Sequence, residues 1–133
     1  MKKVMLDTHV LLWTIGNSDK LPKRVVEYIT NKENNVFVSA ISLWEIALKL
    51  SIGKLELSFS PSDILMYCQE IGIQLIPLEP LDALEFLKLP AKKEHKDPFD
   101  RMLIYQCIKG DYTLVSRDDK MKFYEKDGLK CIW

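Results

Sequence analysis

Four acidic residues lie far apart in the chain, and each stands where a predicted strand ends or a predicted helix begins. They are Asp7, Glu45, Asp100 and Asp118. Asp7 closes the apolar run 4–6, and Asp118 comes just after the β-like run 112–116, so both read as carboxyl ends of strands. In an open parallel α/β sheet, ligands bind at this edge. We therefore expect these distant carboxylates to share one site.

Glu45 occupies a position that is unusual for a surface acid. On a helix its neighbours at −4, +3 and +7 are Ile41, Leu48 and Ile52, which places the carboxylate on an apolar side. Burying an unpaired charge is costly, so this position indicates a partner or a metal ion. An i,i+4 ion pair with Lys49, worth roughly 0.2–0.5 kcal/mol, is an equally good explanation.

The remaining acids also have structural explanations when each is taken alone. Asp97 and Asp100 flank Pro98 at a predicted helix start, where acids cap the backbone and favour the helix dipole. Asp97 directly precedes Pro98 and is the better cap, which leaves Asp100 freer to face a site. Asp7 is explained as a cap, and Asp118 as an Asx-turn residue.

Taken together, the four acids indicate a cation site. Converging carboxylates repel one another unless cations neutralise them, and oxygen-only ligands suit Mg²⁺ or Mn²⁺ rather than Zn²⁺. His9 and His95 form no zinc pattern, and the chain has no G-x-G-x-x-G, P-loop or G-x-S-x-G motif. Chemistry that needs only acids and Mg²⁺ is typically phosphate-ester cleavage by a metal-activated water.

Predicted strands and helices alternate along the whole chain. We expect strands at about 3–7, 36–38, 73–77, 113–115 and 130–133, and helices at about 8–15, 22–32, 43–50, 61–72, 81–87 and 97–109, with a charged loop at 91–96. This alternation predicts an α/β fold with a mostly parallel sheet covered on both faces. The 133 residues are expected to form a single domain, 1–133.

Composition indicates the compartment of the protein, the state of its cysteines and the class of its partners. We find neither a membrane-spanning stretch nor a signal peptide, so we expect a cytoplasmic protein without membrane contact. Three cysteines without C-x-x-C spacing are expected to be free thiols. The 19 basic and 19 acidic residues give no net charge, which does not favour nucleic-acid binding. If bound cations neutralise four acids, the rest of the molecule carries +4 and attracts polyanions.

Several strings in the chain resemble one protein family, in the same order and over nearly the whole length. They are LDTH (6–9), VSAISLWEI (38–46), HKDPFDRMLIYQ (95–106) and LVSRD (114–118). Together they look like PIN-domain ribonucleases of the VapC toxin type. This resemblance implies a three-layer α/β/α fold, a Mg²⁺- or Mn²⁺-dependent endoribonuclease, an RNA substrate such as tRNA, and inhibition by a VapB-like antitoxin. Carried over by position, the metal-site acids are Asp7, Glu45, Asp100 and Asp118.

Other polar residues beside these acids have expected supporting roles. The last motif offers two adjacent acids, and Asp118 is preferred to Asp119 because it stands two residues after Ser116, as in the family pattern. Asp119 is then expected to face solvent or to assist indirectly. The hydroxyls of Thr8 and Ser116 are candidates for holding metal-bound water, although helix capping explains Thr8 equally well.

Four basic residues near the predicted site are candidates for binding RNA phosphates. Arg101 is next to a site acid, where a guanidinium grips phosphate in bidentate fashion. The others lie in the loop before Asp97 and are Lys92, Lys93 and Lys96. Trp13 and Trp44 occupy apolar helix stripes, so we expect core packing or a subunit contact from them rather than base stacking.

Aromatic residues on apolar helices also predict a homodimer; they are Trp13, Tyr28, Trp44 and Tyr67. We expect the antitoxin to cover the acidic groove with an Arg or Lys that reaches the carboxylates.

Two other functions remain open from the sequence: a catalytically silent module that binds RNA or antitoxin, and a DNA-directed flap nuclease or exonuclease. The full set of acids argues against the first, and the small size argues against the second.

Overall fold

The centre of the fold is a sheet in which every strand pairing is parallel. The computed structural model describes residues 2–133; Met1, which the predicted domain includes, lies outside the described residues. Within this range the sheet has five strands in the order β3-β2-β1-β4-β5. Their bounds are β1 Lys2–Leu6, β2 Asn34–Ser39, β3 Gln74–Ile76, β4 Thr113–Val115 and β5 Lys130–Ile132. The predicted α/β/α class and all five predicted strands are confirmed.

Helices connect successive strands, as parallel pairing requires. Within residues 2–133 the α-helices are α1 Thr8–Gly16, α2 Lys23–Thr30, α3 Ala40–Ser51, α4 Asp63–Ile71, α5 Pro80–Glu85 and α6 Pro98–Gly110. Short 3₁₀ segments span Ser18–Lys20 and Phe86–Lys88, and a longer one spans Asp119–Asp127. The six predicted helices are confirmed, although α3 begins three residues earlier than expected because Ser39 caps it. The sequence did not predict the segment Asp119–Asp127.

The alternation of side chains along β1 divides the core into two layers. Val4 and Leu6 pack on one face of the sheet with residues of α1, α2, α3 and α4. Met5 points to the other face and packs with α6 and the segment Asp119–Asp127. Both faces are therefore covered, as in other parallel sheets. Within residues 2–133 no helix is long and apolar enough to cross a membrane.

The carboxyl edge of the sheet is fixed by the register of its central strands. Leu6 of β1 is level with Val115 of β4, and the Asp7 backbone N–H donates to the Val115 carbonyl at 3.0 Å. Asp7 and Ser116 therefore leave neighbouring strands side by side. Ser39 ends β2 at the same edge and starts α3, because its hydroxyl accepts a hydrogen bond from the Ile41 N–H.

Trp44 does not lie in the core. It is 61% exposed and meets the Phe99 ring edge-on, so of the two alternatives that the sequence offered, core packing is wrong and a subunit contact stays a prediction. Leu48 and Ile52, one and two turns after the buried Glu45, are also exposed. One side of α3 is therefore covered by the rest of the fold and the other is not.

Gln106 ties α6 to the ends of two strands. This buried amide accepts a hydrogen bond from the Ser39 hydroxyl at 2.5 Å and donates one to the Pro77 carbonyl at 3.2 Å. Both partners lie just where β2 and β3 end. The amide therefore holds this edge of the sheet against α6.

Replacing Gln106 by alanine should destabilise the fold. The change leaves the Ser39 hydroxyl and the Pro77 carbonyl without these partners, at a cost of about 1–3 kcal/mol. Urea unfolding curves of wild type and Gln106→Ala measure this difference. Gln69→Ala, at an exposed position of α4, is the matched control and should change the free energy of unfolding by less than about 0.5 kcal/mol. Equal effects of the two substitutions would contradict the role of Gln106.

Candidate metal centre

Asp7 is held rigidly at the centre of the carboxyl edge. It is 1% exposed and caps α1, since its Oδ1 accepts a hydrogen bond from the Thr8 N–H at 2.8 Å. Its Oδ2 accepts one from the Ser116 hydroxyl at 2.6 Å. Burial raises the pKa of Asp7, and His9, whose Nε2 lies 3.7 Å from Oδ2, opposes that rise. The capping explanation thus applies to Asp7, and Thr8 is the first helical residue.

Glu45 reaches the same edge from α3. It is 5% exposed, and its Oε1 accepts a hydrogen bond from the Thr8 hydroxyl at 2.5 Å. Its Oε2 accepts one from the Lys49 ammonium at 2.6 Å, so the i,i+4 pair that the sequence offered is present. The hydrogen bond to Glu45 raises the pKa of Lys49, to which Asp97 and Asp100 add. The ammonium therefore lies within the field of the clustered acids.

The two acids that start α6 divide their roles as the sequence predicts. Asp97 is exposed and caps the helix, because its Oδ1 accepts a hydrogen bond from the Asp100 N–H at 2.9 Å. Asp100 turns inward, and burial raises its pKa from 3.8 to about 8. Negative charges on Asp7, Asp97, Glu45 and Asp118 add to this rise. Asp100 therefore lies within electrostatic reach of the other three predicted site acids.

Asp118 joins the cluster through Ser116. Its backbone N–H donates to the Ser116 hydroxyl at 3.1 Å, and that hydroxyl in turn donates to Asp7. One oxygen of Asp118 accepts a hydrogen bond from the Lys120 N–H at 2.9 Å, which is the Asx-turn arrangement. Asp119 is exposed. Of the two adjacent acids, Asp118 is the one whose carboxylate lies close to Asp100.

A buried histidine stands among these acids. His95 is 3% exposed, and its Nε2 lies 3.1 Å from Oδ2 of Asp100. Ligand atoms of His95, Asp100 and Asp118 lie within 4.8 Å of one another. The other ring nitrogen, Nδ1, lies 3.0 Å from the Tyr124 hydroxyl. Burial lowers the pKa of His95, with Asp118 and Asp97 opposing.

The donor set of this cluster suits a hard divalent cation. The four acids present carboxylate oxygens from four different elements, and such ligands favour Mg²⁺ or Mn²⁺. Burial, and after it the charges of the neighbouring acids, raise the pKa of Asp100, and a bound cation would offset both effects. In addition, the Ser42 hydroxyl, one turn before Glu45 on α3, is buried without a hydrogen-bond partner among residues 2–133. The residues therefore fit a divalent ion.

Of the four basic residues expected to bind RNA phosphates, two make contacts within the protein and two are exposed to solvent. The Arg101 guanidinium donates to the Leu89 and Pro90 carbonyls and to the Tyr124 hydroxyl. The Lys92 ammonium is 2.8 Å from Asp127, and its side chain is 10% exposed. Both cations are thus engaged inside the protein. Lys93 and Lys96, by contrast, are exposed.

Three residues near the cluster were not singled out from the sequence. Tyr124 lies in the unpredicted segment Asp119–Asp127, so nothing local placed its hydroxyl beside His95. His95 was considered only as a zinc ligand. Arg117 is exposed next to Asp118, and its guanidinium lies 5.0 Å from the centroid of the Trp13 ring. Its position directly before a site acid is a signal that the sequence already contained.

Comparisons with known proteins agree with this architecture. A PIN domain model matches residues 4–129. The chain is 23% identical over 135 residues to Ribonuclease VapC22 of Mycobacterium tuberculosis, and the alignment covers 100% of each.

Solved structures with a similar fold include VapBC-1 of nontypeable Haemophilus influenzae, at 18% identity and a TM-score of 0.69, covering 98% of this chain and 96% of that one. VapBC2 of Rickettsia felis, bound to a DNA fragment from its promoter, gives 17% identity and a TM-score of 0.67, covering 98% and 97%. Since the family model spans nearly all of the described residues, the chain belongs to the PIN domain family.

Proposed function

We infer that this protein is a Mg²⁺-dependent endoribonuclease and the toxin of a toxin–antitoxin pair. The observation that carries this function is the convergence of Asp7, Glu45 and Asp118 on the half-buried carboxyl group of Asp100. Support comes from membership of the PIN domain family and from a relative that is named a ribonuclease and aligns with this chain over its full length. The VapBC assemblies among the similar structures support the toxin role.

The four acids are the proposed ligands, with Mn²⁺ as a substitute for Mg²⁺. When bound, the ion supplies an activated water as nucleophile and stabilises charge on the leaving oxygen. Ser116 orients Asp7 and Thr8 orients Glu45, so each hydroxyl fixes one carboxylate. Asp119 faces solvent in this proposal. No covalent nucleophile from the protein is required.

RNA approaches this site across its basic neighbours. Lys93 and Lys96 keep their expected role as phosphate contacts, since both are exposed. Arg101 and Lys92 were expected to share this role, but their contacts within the protein favour a structural one. Arg117 is the better arginine because it adjoins Asp118, stacks on Trp13 and has no hydrogen bond or ion pair within residues 2–133. Stacking leaves the N–H edge of a guanidinium available for a phosphate.

The proposed partners are an RNA such as tRNA, a VapB-like antitoxin and a second copy of the chain. An Arg or Lys of the antitoxin would neutralise the same acids that bind the ion, which explains inhibition without a separate site. The proposed compartment is the cytoplasm. For the dimer, α3 offers exposed Trp44 and Leu48, and Ile52 directly after the helix continues this apolar surface; their exposures are 61%, 39% and 56%. Apolar surface of this kind is typical of subunit contacts.

Purified protein should cleave a structured RNA in the presence of Mg²⁺ or Mn²⁺, and EDTA should stop the reaction. Gel analysis of labelled RNA and of double-stranded DNA measures both activities. Arg117→Ala should raise KM for RNA more than kcat falls, while Arg24→Ala, an exposed arginine on α2, should change neither. Binding without cleavage would indicate the silent module, and a preference for duplex DNA would indicate the DNA nuclease.

Asp100→Asn should remove both the pH dependence and the metal dependence of stability that Asp100 causes. Folded protein keeps the Asp100 proton up to about pH 8, whereas the unfolded chain releases it near 3.8. The folded state therefore binds more protons between these values, and metal-free wild type should lose stability as pH rises through them. Asp100→Asn should flatten this part of the profile and abolish cleavage.

Melting curves with and without Mg²⁺ complete the test. A ligand that binds only the folded state stabilises it by about 2.7 kcal/mol at a hundredfold excess over Kd. Asp100→Asn should lose most of this increment. Asp97→Asn is the matched control, because Asn caps a helix as well as Asp does and the increment should persist. An undiminished increment in Asp100→Asn would exclude Asp100 from the ligands.

The wild-type protein should be a dimer in light scattering, and Ile52→Glu should shift it towards monomer because a charge enters the apolar contact. Met66→Glu, at a similarly exposed apolar position on α4, is the control and should leave the dimer intact. A wild-type monomer, or equal effects of both substitutions, would count against this interface.

A further inference from the structure

A chain of hydrogen bonds leads from Arg101 to Asp100 through two buried residues. The Arg101 Nη1 lies 3.0 Å from the Tyr124 hydroxyl, which lies 3.0 Å from Nδ1 of His95. The other ring nitrogen of His95, Nε2, lies 3.1 Å from Oδ2 of Asp100. Tyr124 is fully buried and His95 nearly so, so water does not compete strongly for these groups.

The direction of each hydrogen bond follows from the arginine. A guanidinium has only donors, so the Tyr124 oxygen must accept from Arg101. The phenol proton must then go to another acceptor. Nδ1 of His95 at 3.0 Å is closer than the His95 carbonyl at 3.5 Å, so Nδ1 is the acceptor. A neutral imidazole that accepts at Nδ1 carries its proton on Nε2 and donates it to Asp100.

The opposite tautomer fits the contacts poorly. In that tautomer Nδ1–H of His95 would be a second donor to the Tyr124 oxygen, which already accepts from Arg101. The Tyr124 hydroxyl could then donate only to the His95 carbonyl at 3.5 Å. When Asp100 is ionised, as a metal ligand must be, that tautomer would also turn the lone pair of Nε2 towards a carboxylate oxygen. Nevertheless, this is the tautomer that His95 needs to bind an ion together with Asp100 and Asp118.

We propose that His95 is a positioning residue, which donates from Nε2 to Asp100 and is itself oriented by Tyr124 and Arg101. This role rests on the proposed metal-dependent function. The bond from His95 fixes Oδ2 of Asp100, and the Asp97 cap fixes the backbone of the same residue. Oδ1 of Asp100 has no hydrogen-bond partner among residues 2–133, so this oxygen remains available to an ion. Partners of this kind orient metal ligands, and their loss typically lowers metal affinity about 10–100-fold.

The tautomer is directly measurable, because the chain has only two histidines. Two-bond ¹H–¹⁵N spectra of protein with ¹⁵N-labelled histidine distinguish Nε2–H from Nδ1–H rings, and His9→Gln assigns the signals. At a pH above about 8, where Asp100 is ionised, we expect His95 in the Nε2–H form both without and with Mg²⁺. A change to the Nδ1–H form when Mg²⁺ is added would overturn the proposal, since it would make His95 a ligand.

Variants test the series of hydrogen bonds from Arg101 to Asp100. The quantity measured is the affinity for Mg²⁺, obtained without RNA from the shift in melting temperature that Mg²⁺ causes. Tyr124→Phe should weaken Mg²⁺ binding about tenfold and reduce the share of the Nε2–H form, while Tyr67→Phe, a half-buried tyrosine on α4, should change neither. His95→Gln, which retains an amide donor at the position of Nε2, should bind Mg²⁺ more tightly than His95→Ala. Unchanged affinity in Tyr124→Phe, or equal losses in the two His95 variants, would contradict the proposal.

These measurements separate the proposal from the proposed function. A protein that binds Mg²⁺ with the expected tautomer but cleaves no RNA would refute the ribonuclease and leave the role of His95 intact. If His95→Ala does not fold, the wild-type tautomer and Tyr124→Phe still decide the question.

Discussion

Mutual repulsion among carboxylates held at one sheet edge is the constraint around which this structure is organised. Four acids come together there. Burial is the main cause that raises the pKa of Asp100 to about 8, and the charges of the neighbouring acids add to that rise. Each acid is held in place by polar contacts. Ser116 donates to Asp7, Thr8 and Lys49 donate to Glu45, the Lys120 N–H donates to Asp118, and His95 lies 3.1 Å from Asp100. Hydrogen bonds to the charged form offset part of the repulsion, and a bound cation would offset the rest.

Two of these contacts, from Ser116 to Asp7 and from Thr8 to Glu45, connect segments that are distant in sequence, so the site depends on the register of the sheet. Ser116 and Asp7 are 109 residues apart and meet because β1 and β4 are neighbours. The pairing of Leu6 with Val115 is in turn fixed by the alternation of Val4, Met5 and Leu6 between two apolar layers. A shift by one residue would turn these side chains to the wrong faces. The hydrophobic core thus places the charges and stabilises an edge that would otherwise repel itself.

The sequence predicts what is local and fails where tertiary contacts decide. Short-range rules predict that Asp7 and Asp118 follow the ends of strands. They also predict that Asp97 caps α6 and that Asp100 points inward. The structure shows each of these positions. The engagement of Arg101 does not follow, because its partners come from Leu89, Pro90 and Tyr124, and the last of these lies in a 3₁₀ segment with no clear periodicity. Exposure of Leu48 and Ile52 is equally non-local, since it depends on which side of α3 the rest of the fold covers.

The segment from His95 to Arg101 combines several functions in seven residues. Asp97 fixes the start of α6, and Asp100 offers its carboxyl group to the cluster. Arg101 anchors the loop before the helix through the Leu89 and Pro90 carbonyls and also orients Tyr124. A lysine at this position would keep the charge but not the planar fork that serves three acceptors at once. The arginine beside the acid is therefore explained by geometry within the protein, and its charge alone does not make it a contact for RNA.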